Sequence, residues 1–280
     1  MENSNPKESA GKQFRERVNS GGILPLIGVY DMFSARIVAR QFEGVFCSGF
    51  GFAASAYGLP DIGFVTWRDI VDYATRMRSM LPSLHILVDI DDGFGDEMIA
   101  SNTVYLLENA GISAVMMEDQ KRPRRCGHVE GKQILPVGEY IVKLTQVLKM
   151  RNNLFVVART DATDPDEGIQ RAIAYARTGA DAVMVEATSS LDTVRTLRKQ
   201  VACPIMMNQL YGGKSPNWSL SELEEAGVSI VVYSTPCLFA AQKAIETYLG
   251  DFQKTGKLSG EGTATMAECN ALLNEEFRKA

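Results

Sequence analysis

The chain has 280 residues, of which 45% are hydrophobic and 22% charged, a length and composition that fit a globular protein with a sizeable core. Its formal net charge of −5 and pI near 5.3 argue against a general affinity for nucleic-acid backbones or anionic lipid, because proteins that bind those surfaces display positive charge. Small molecules are the expected partners.

Cysteine usage and the N-terminal segment indicate the compartment. The five cysteines are widely spaced, odd in number and without a CxxC pair, so neither a disulfide framework nor a zinc site is expected. The start, MENSNPKESAGKQFRERVNS, is polar and contains acidic residues, and no apolar run reaches the roughly 18 residues of a membrane span. We expect a cytoplasmic protein with a loose N-terminal tip and no membrane partner.

Eight short apolar runs follow one another along the chain, and amphipathic segments separate them. Each run is almost continuously apolar, which is typical of parallel strands covered on both faces. In chain order the runs are GILPLIGVY, GVFCSG, HILVDID, ISAVMME, LFVVART, DAVMVEA, PIMMNQL and VSIVVYS. Helical patterns between them include WRDIVDYATRMRSML, EMIASNTVYLLENAG, GEYIVKLTQVLKMR, EGIQRAIAYARTGA and SLDTVRTLRKQ.

Three helix ends share one pattern, in ENAGIS, ARTGAD and EEAGVS, where Gly111, Gly179 and Gly227 would form left-handed C-caps. Repeated strand–helix units of this kind predict an α/β fold, specifically a (β/α)₈ barrel. A doubly wound open sheet is the alternative, but no GxGxxG follows the first strand.

The C-terminal segment lies outside the eight units. TPCLFAAQKAIETYLGDFQKTGKL predicts a long helix, SGEGTAT interrupts it, and MAECNALLNEEFRKA predicts a further helix. We therefore assign residues 1–257 to the barrel and residues 258–280 to a helical extension. The added helix could dock on another subunit or pack on its own barrel.

Polar residues cluster at the predicted strand ends, where barrels of this kind carry their catalytic groups. They are Ser48, Gly49, Asp89, Asp91, Glu118, Arg159, Asp161, Glu186 and Asn208. Asp89 and Asp91 stand two apart, so on an extended strand both would leave by the same face. Such carboxylates repel unless a cation lies between them, and their oxygens suit Mg²⁺, with Glu118 as a water-mediated ligand.

The charged residues near Asp89 and Asp91 have other expected roles. Asp96 and Glu97 precede a helix and are expected to cap it. Asp92 could be a cap or a metal ligand. Arg159 ends an apolar strand and needs an anionic partner, either a substrate carboxylate or an internal acid such as Glu186 or Asp89.

The segment EDQKRPRRCGH, residues 118–128, is strongly basic after the fourth strand. Its cations could attract an anionic substrate or form a solvated loop. Nearby positive charge is expected to lower the pKa of the Cys126 thiol and to suit that thiol to acid–base catalysis. His128 is either catalytic or structural.

These motifs resemble the isocitrate lyase and phosphoenolpyruvate mutase superfamily, in particular its small members such as 2-methylisocitrate lyase, dimethylmalate lyase and the carboxyphosphonate mutases. CSGFGFAASAYGLPDIGF is similar to SGxGxAAxxLGLPDLG, VDIDDGFGD to VDADxGFG, MEDQKRPRRCGH to EDQxxPKRCGH, VARTDA to ARTDA, and NQLYGGKSP to NMxEGGKTP. The five motifs occur in order between residues 47 and 216, and the resemblance extends over about residues 12–257.

The resemblance implies a barrel whose last helices are exchanged between subunits in a homotetramer, a dimer of helix-swapped dimers. It implies Mg²⁺, with Mn²⁺ as an alternative, at Asp89, and water-mediated contacts from Asp91, Glu118 and Asp61. It further implies that Cys126 is the proton donor on a loop that closes over substrate. The expected substrate-binding residues are Phe46, Ser48, Gly49, Asp61, Gly127, Arg159, Glu186 and Asn208. Arg124 and His128 are expected to act with Cys126 and Arg159 in catalysis.

The implied reaction is cleavage of a carbon–carbon bond in a 2-hydroxy di- or tricarboxylate, with Mg²⁺ and Arg159 stabilising the developing oxyanion. Three residues depart from the family patterns: Arg124 replaces a lysine, Phe46 a tyrosine and Tyr211 a glutamate. All three are expected to line or approach the pocket. Two alternatives remain, a phosphonate enzyme of the same superfamily and a catalytically silent binding barrel.

Overall fold

The eight apolar runs form eight parallel strands in a computed structural model that describes residues 9–275. In the polar segment that predicted a loose tip, residues 1–8 lie outside the described residues, whereas residues 10–19 form a helix. The strands are β1 Leu24–Val29, β2 Gly44–Cys47, β3 His85–Asp89, β4 Ala114–Glu118, β5 Phe155–Thr160, β6 Ala182–Val185, β7 Met206–Gln209 and β8 Ile230–Tyr233.

Helices follow the strands as the sequence predicts. They are α1 Ala10–Asn19, α2 Met32–Val38, α3 Gly49–Phe52, α4 Trp67–Met80, α5 Glu97–Asn109, α6 Val137–Met150, α7 Pro165–Arg177, α8 Leu191–Arg198, α9 Leu220–Ala226, α10 Pro236–Thr255 and α11 Met266–Asn274. A π-helical turn, Ala53–Tyr57, continues α3. Gly111, Gly179 and Gly227 have φ values of 83°, 94° and 96°, so the predicted left-handed glycines turn three helices toward the next strand.

The sheet is a barrel and not an open sheet. The strand order is β6-β5-β4-β3-β2-β1-β8-β7, which makes β1 and β8 neighbours. A parallel bridge between Val183 and Ile205 connects the two outer strands of that order, β6 and β7. The (β/α)₈ prediction is confirmed, and the doubly wound alternative is wrong.

Apolar side chains fill the barrel and the layer between sheet and helices. The inner cluster includes Leu26, Leu87, Val157 and Met206, all fully buried. Helix α1 closes the amino-terminal end of the barrel, where the Phe14 ring packs edge-on against Phe155 at 5.0 Å. Burial of a phenylalanine of this kind contributes about 1.5–3 kcal/mol. The closed lower end leaves the opposite end of the barrel for the polar groups.

The C-terminal helices differ in their packing. Helix α10 contains no buried side chain. Helix α11 lies on α2 of the same chain, where Arg36 donates to the Leu273 carbonyl at 2.9 Å and Arg40 pairs with Glu275 at 3.2 Å. The packing of α11 on its own barrel is therefore observed, and helix exchange between subunits stays a prediction. Among residues 9–275, no helix has the length and apolar character that a membrane crossing requires.

Candidate active site

One cavity lies at the carboxyl ends of the strands. It is lined by Phe46, Ser48, Phe50, Asp61, Asp89, Met116, Arg124, Cys126, Gly127, His128, Arg159, Glu186, Asn208, Leu210, Ser234 and Thr235. Three predicted site residues, Gly49, Asp91 and Glu118, do not contribute to this lining but contact residues that do. The structure thus brings all the predicted site residues to one end of the barrel.

Asp89 and Asp91 converge, but not in the way that strand alternation predicts. Strand β3 ends at Asp89, and Asp91 has a left-handed φ of 49°. Both carboxylates approach Gly49: a Cβ atom there would lie 3.2 Å from Asp91 Oδ1 and 3.6 Å from Asp89 Oδ2. The expectation that both leave an extended strand by one face is wrong, because a turn in the αL region, which aspartate tolerates, carries Asp91 to the site.

Arg124 occupies the centre of the acidic residues. Its guanidinium contacts Asp61 closely, lies 2.8 Å from Glu118 Oε1 and 3.4 Å from Asp91 Oδ1, and its side chain is only 2% exposed. Arg124 lies in the segment after β4, residues 121–133, which we call the lid. As a cation of this segment it was a candidate for attracting substrate, but the chain's own carboxylates already neutralise it. Arginine suits this position because its planar fork pairs with several carboxylates at once.

The acids remain electrostatically frustrated in spite of Arg124. Burial raises the pKa of Asp91 to about 7, although Arg124 opposes this shift. Burial likewise raises the pKa of Asp89, and it raises that of Glu118 well above its usual range. The raised pKa values indicate that the neighbouring cations do not fully offset the cost of burying these negative charges.

The residues fit a hard divalent cation. Among residues 9–275, no lysine or arginine nitrogen lies within 4.0 Å of Asp89, which faces the cavity with a free oxygen, Oδ2. No group of three His, Cys, Asp or Glu side chains in the described chain forms a ready metal cage. Mg²⁺ requires no such cage, because it keeps several waters and takes one or two protein carboxylates directly. Asp89 would bind the ion, with Asp61, Asp91 and Glu118 around its waters.

Arg159 connects the acidic residues to the opposite wall. It lies 3.2 Å from Glu118, 2.9 Å from Asp161 and 3.6 Å from Glu186. Of the two internal acids that were expected as possible partners of Arg159, Glu186 lies close to it, whereas Asp89 is not paired with it. Glu186 Oε2 is buried without a hydrogen-bond partner among the described residues, so it offers an acceptor to a ligand.

Glu186 is held ionised by its neighbours. Burial opposes its charge, but Arg159 and the hydrogen bond from His128 outweigh burial and lower the pKa of Glu186 to about 2. His128 Nε2 lies 2.8 Å from Glu186 Oε1, and its Nδ1 accepts the Lys214 backbone N–H at 3.0 Å. These partners assign a neutral imidazole with its proton on Nε2. Asn208 also donates to Glu186, at 3.0 Å.

The Cys126 thiol lies in the cavity wall, and burial raises its pKa to about 11. The expectation that the surrounding arginines lower this pKa is wrong. Arg124 is paired with carboxylates, so its charge is offset. The negative charges of Asp61 and Glu186 also raise the pKa of the Cys126 thiol. At neutral pH the thiol therefore carries its proton. The next residue, Gly127, leaves no room for a side chain, since a Cβ there would lie 2.4 Å from Arg159 Nη2.

The remaining predictions divide. Asp96 caps α5 by accepting from the Met98 and Ile99 N–H groups, as predicted. Asp92 is instead paired with Arg122 at 2.7 Å. Tyr211 is 89% exposed and lines a neighbouring cavity that shares Leu210 and Thr235 with the active-site cavity, so it approaches the pocket without lining it.

Several lining residues were missed. Ser234 and Thr235 follow β8, and the rule that selected the other strand ends could have found them. Leu210, Met116 and Phe50 carry no polar signal and could not be distinguished from core residues. The sequence also contains no signal for Gln120 and Lys132, whose side chains donate hydrogen bonds to the backbone carbonyls of Arg125 and Gly127.

Comparison with known proteins gives consistent matches over nearly the whole chain. A sequence model described as phosphoenolpyruvate phosphomutase matches residues 14–252. A 2-methylisocitrate lyase of Bacillus subtilis (strain 168) is 35% identical over 257 residues, covering 90% of this chain and 84% of that protein. A chloroplastic carboxyvinyl-carboxyphosphonate phosphorylmutase of Arabidopsis thaliana is 32% identical, covering 96% and 83%. A solved 2,3-dimethylmalate lyase superposes with a TM-score of 0.92 at 25% identity, covering 98% and 95%.

Proposed function

Because the chain belongs to the phosphoenolpyruvate phosphomutase family, we propose that it is a Mg²⁺-dependent carbon–carbon lyase that cleaves a 2-hydroxy di- or tricarboxylate. Support comes from the similarity to a 2-methylisocitrate lyase and to a 2,3-dimethylmalate lyase. The observation that carries the proposal is the position of the Cys126 thiol in the same cavity as the acidic residues around Asp89.

When bound, the cation would supply Lewis-acid stabilisation of the negative charge that develops on the 2-hydroxy acid end of the substrate. Asp89 would hold it, and Asp61, Asp91 and Glu118 would orient its waters. Arg159 adds a fixed positive charge at the cavity wall, and its own carboxylate partners keep the guanidinium in place before substrate arrives. The electrostatic groups are thus organised in advance.

The chain's own residues complete the cleavage. When the carbon–carbon bond breaks, the hydroxyl group loses its O–H proton to a base, and the carbon that carried the hydroxyl becomes a carbonyl. The electrons of the broken bond remain on the departing acid. The Cys126 thiol, protonated because burial raises its pKa, donates a proton to that carbanion. The lid that carries Cys126 excludes water while the carbanion exists. His128 and Asn208 hold Glu186 so that its free oxygen faces the substrate.

Substitution of Cys126 tests this assignment. In Cys126→Ala, turnover of 2-methylisocitrate or 2,3-dimethylmalate, followed by pyruvate release, should fall by about 10²- to 10⁴-fold, the usual contribution of a general acid. Mg²⁺ binding should be unchanged. Unimpaired pyruvate release from Cys126→Ala would remove the thiol from the chemistry.

A phosphonate enzyme is the second candidate, and the similarity to the Arabidopsis phosphorylmutase favours it. Such an enzyme would act on a carbon–phosphorus bond in the same cavity. Phosphorus NMR with phosphonopyruvate, run beside the pyruvate-release assay, separates the two. New phosphorus signals without cleavage of any hydroxyacid would replace the lyase proposal.

We further propose a homotetramer of helix-swapped dimers in the cytoplasm. Helix α10 supports the exchange, because it has no buried side chain and exposes Ile245, Leu249 and Phe252. The free thiols of all five cysteines support a reducing compartment. Light scattering after size exclusion should give four chains per particle, and a monomer would contradict the assembly.

A further inference from the structure

The lid has a fixed base and a long span. A bridge between Gln120 and Ile134 closes its neck, where the Lys121 N–H donates to Gln133 O and the Leu135 N–H donates to Asp119 O, both at 2.8 Å. Between these bonds, residues 121–133 cross the mouth of the barrel. The neck fixes where the lid starts and ends, but it does not determine where Cys126, near the middle, points.

Gln120 supplies one missing constraint. Its side chain lies beneath the lid, and the residue is 1% exposed. Nε2 donates to the Arg125 carbonyl at 2.8 Å, and Oε1 accepts the Arg125 N–H at 2.9 Å. One amide side chain therefore pairs with the backbone N–H and C=O of Arg125, as a neighbouring strand would. This fixes the residue immediately before Cys126.

Lys132 supplies the other constraint. Its ammonium is buried, with a side chain 3% exposed, and it donates to the Gly127 carbonyl at 2.5 Å and to Asp161 at 3.0 Å. Asp161 also contacts Arg159. The residue immediately after Cys126 is therefore tied to the same acid that holds the cavity arginine.

Buried amides and ammonium groups need partners wherever they lie, so satisfied hydrogen bonds alone would indicate only a stable fold. The distinctive feature is their placement. Two side chains from the two arms of the neck bind the backbone on the two sides of one thiol, and neither lines the cavity. We propose that Gln120 and Lys132 are positioning residues that hold the Cys126 thiol in the cavity without touching substrate.

The test uses the full chain and a readout that needs no substrate. The rate at which iodoacetamide alkylates Cys126, followed by mass spectrometry of the Cys126 peptide, reports how often the thiol leaves its buried position. Gln120→Ala and Lys132→Met should each raise this rate by about fivefold or more, because each frees one side of the thiol. Gln133→Ala is the matched control: it removes a glutamine from the same neck whose side chain is exposed, and it should leave the rate unchanged.

A second readout concerns turnover and rests on the proposed function. For a hydroxyacid that the wild type cleaves, kcat should fall more than KM rises in Gln120→Ala and Lys132→Met, since the proton donor and not the binding wall is displaced. Mg²⁺ binding should match the wild type. If Cys126→Ala cleaves the hydroxyacid as fast as the wild type, the proposed role of the thiol as proton donor fails, but the alkylation rates still decide the positioning roles.

The outcomes are separable. Thermal unfolding shows whether each variant is folded at the assay temperature, and the two variants fold or fail independently. An alkylation rate at or below that of the wild type in one folded variant removes that residue from the proposal. The same result in both folded variants overturns it.

Discussion

The two halves of the cavity mouth are built on opposite principles. The acidic half, from β2 to β4, gathers Asp61, Asp89, Asp91 and Glu118 around one arginine. The neutral half, at β7 and β8, presents Asn208, Leu210, Ser234 and Thr235. The acidic half can hold a cation and stabilise developing charge, whereas the neutral half can only orient a substrate through dipoles and shape.

The two halves also differ in what they do to stability. In the acidic half, buried carboxylates have raised pKa values, and Asp91 adopts a left-handed φ of 49°. In the neutral half, Asn208 donates to Glu186 at 3.0 Å and accepts from Ser234, so its polar groups are satisfied. Strain and unfavourable charge are concentrated where the cation would bind, which is the usual location of function at the expense of stability.

The largest expected effect falls on the acidic half. Asp89→Asn removes a carboxylate that faces the cavity and has no cation partner among residues 9–275, so turnover should fall by on the order of 10³-fold. Ser234→Ala, in the neutral half, should reduce turnover by only about tenfold or less, because it removes one neutral hydrogen bond. Steady-state pyruvate release measures both, and equal losses would end the distinction between the halves.

A smaller effect is expected at Asn208. Asn208→Ala leaves Glu186 with one donor fewer in a buried setting, a loss of about 1–3 kcal/mol that corresponds to about 5- to 150-fold in kcat/KM. Mg²⁺ affinity should not change, because Asn208 lies on the other half of the mouth. Titration calorimetry checks this, and a weakened metal affinity would show that the halves act as one unit.

The pH dependence of stability should also separate the halves. Burial raises the folded-state pKa of Asp91 from its usual 3.8 to about 7, so the native state binds the extra proton and the free energy of unfolding falls as pH rises between about 4 and 7. Asp91→Asn should make this fall smaller, since Asp89 and Glu118 also have raised pKa values, and it should stabilise the chelator-treated protein by roughly 1–4 kcal/mol at pH 8. Urea unfolding at pH 4 and pH 8 measures it. A variant no more stable than the wild type at pH 8 would contradict the raised pKa.

The smallest effect concerns selectivity. Leu210 contributes an apolar surface to the neutral half. Leu210→Ser should shift the ratio of kcat/KM between 2,3-dimethylmalate and 2-methylisocitrate by about tenfold toward the substrate with the additional carboxylate, a size typical of small changes in an apolar wall. Competition assays give the ratio directly. An unchanged ratio would show that the part of the substrate that differs between the two acids does not contact Leu210.

The fold could be predicted because its signals are local. Apolar runs covered on both faces, together with the glycine caps at Gly111, Gly179 and Gly227, specify parallel strand–helix units, and the strand-end rule then placed Glu118, Arg159, Glu186 and Asn208 at one end. The same rule led to the basic segment after β4 that contains Cys126. Asp61 does not lie at a strand end, so only the resemblance to known motifs indicated it.

The rest depends on contacts between distant segments. Nothing in RPRRCG shows that Arg124 turns inward to three acids while Arg125 stays exposed. The raised pKa of Cys126 follows from burial beneath those pairs, and the sequence shows only its basic neighbours. Lys132 appears solvated in EGKQIL, yet it is buried against Asp161. Charge pairing across a closed loop leaves no periodic pattern to read.

Titration of Mg²⁺ into wild type and Asp89→Asn tests the central claim most directly, because it needs no substrate. The account predicts one Mg²⁺ site per chain in the wild type, abolished by Asp89→Asn and retained in Asn208→Ala. Equal Mg²⁺ binding by wild type and Asp89→Asn would contradict it.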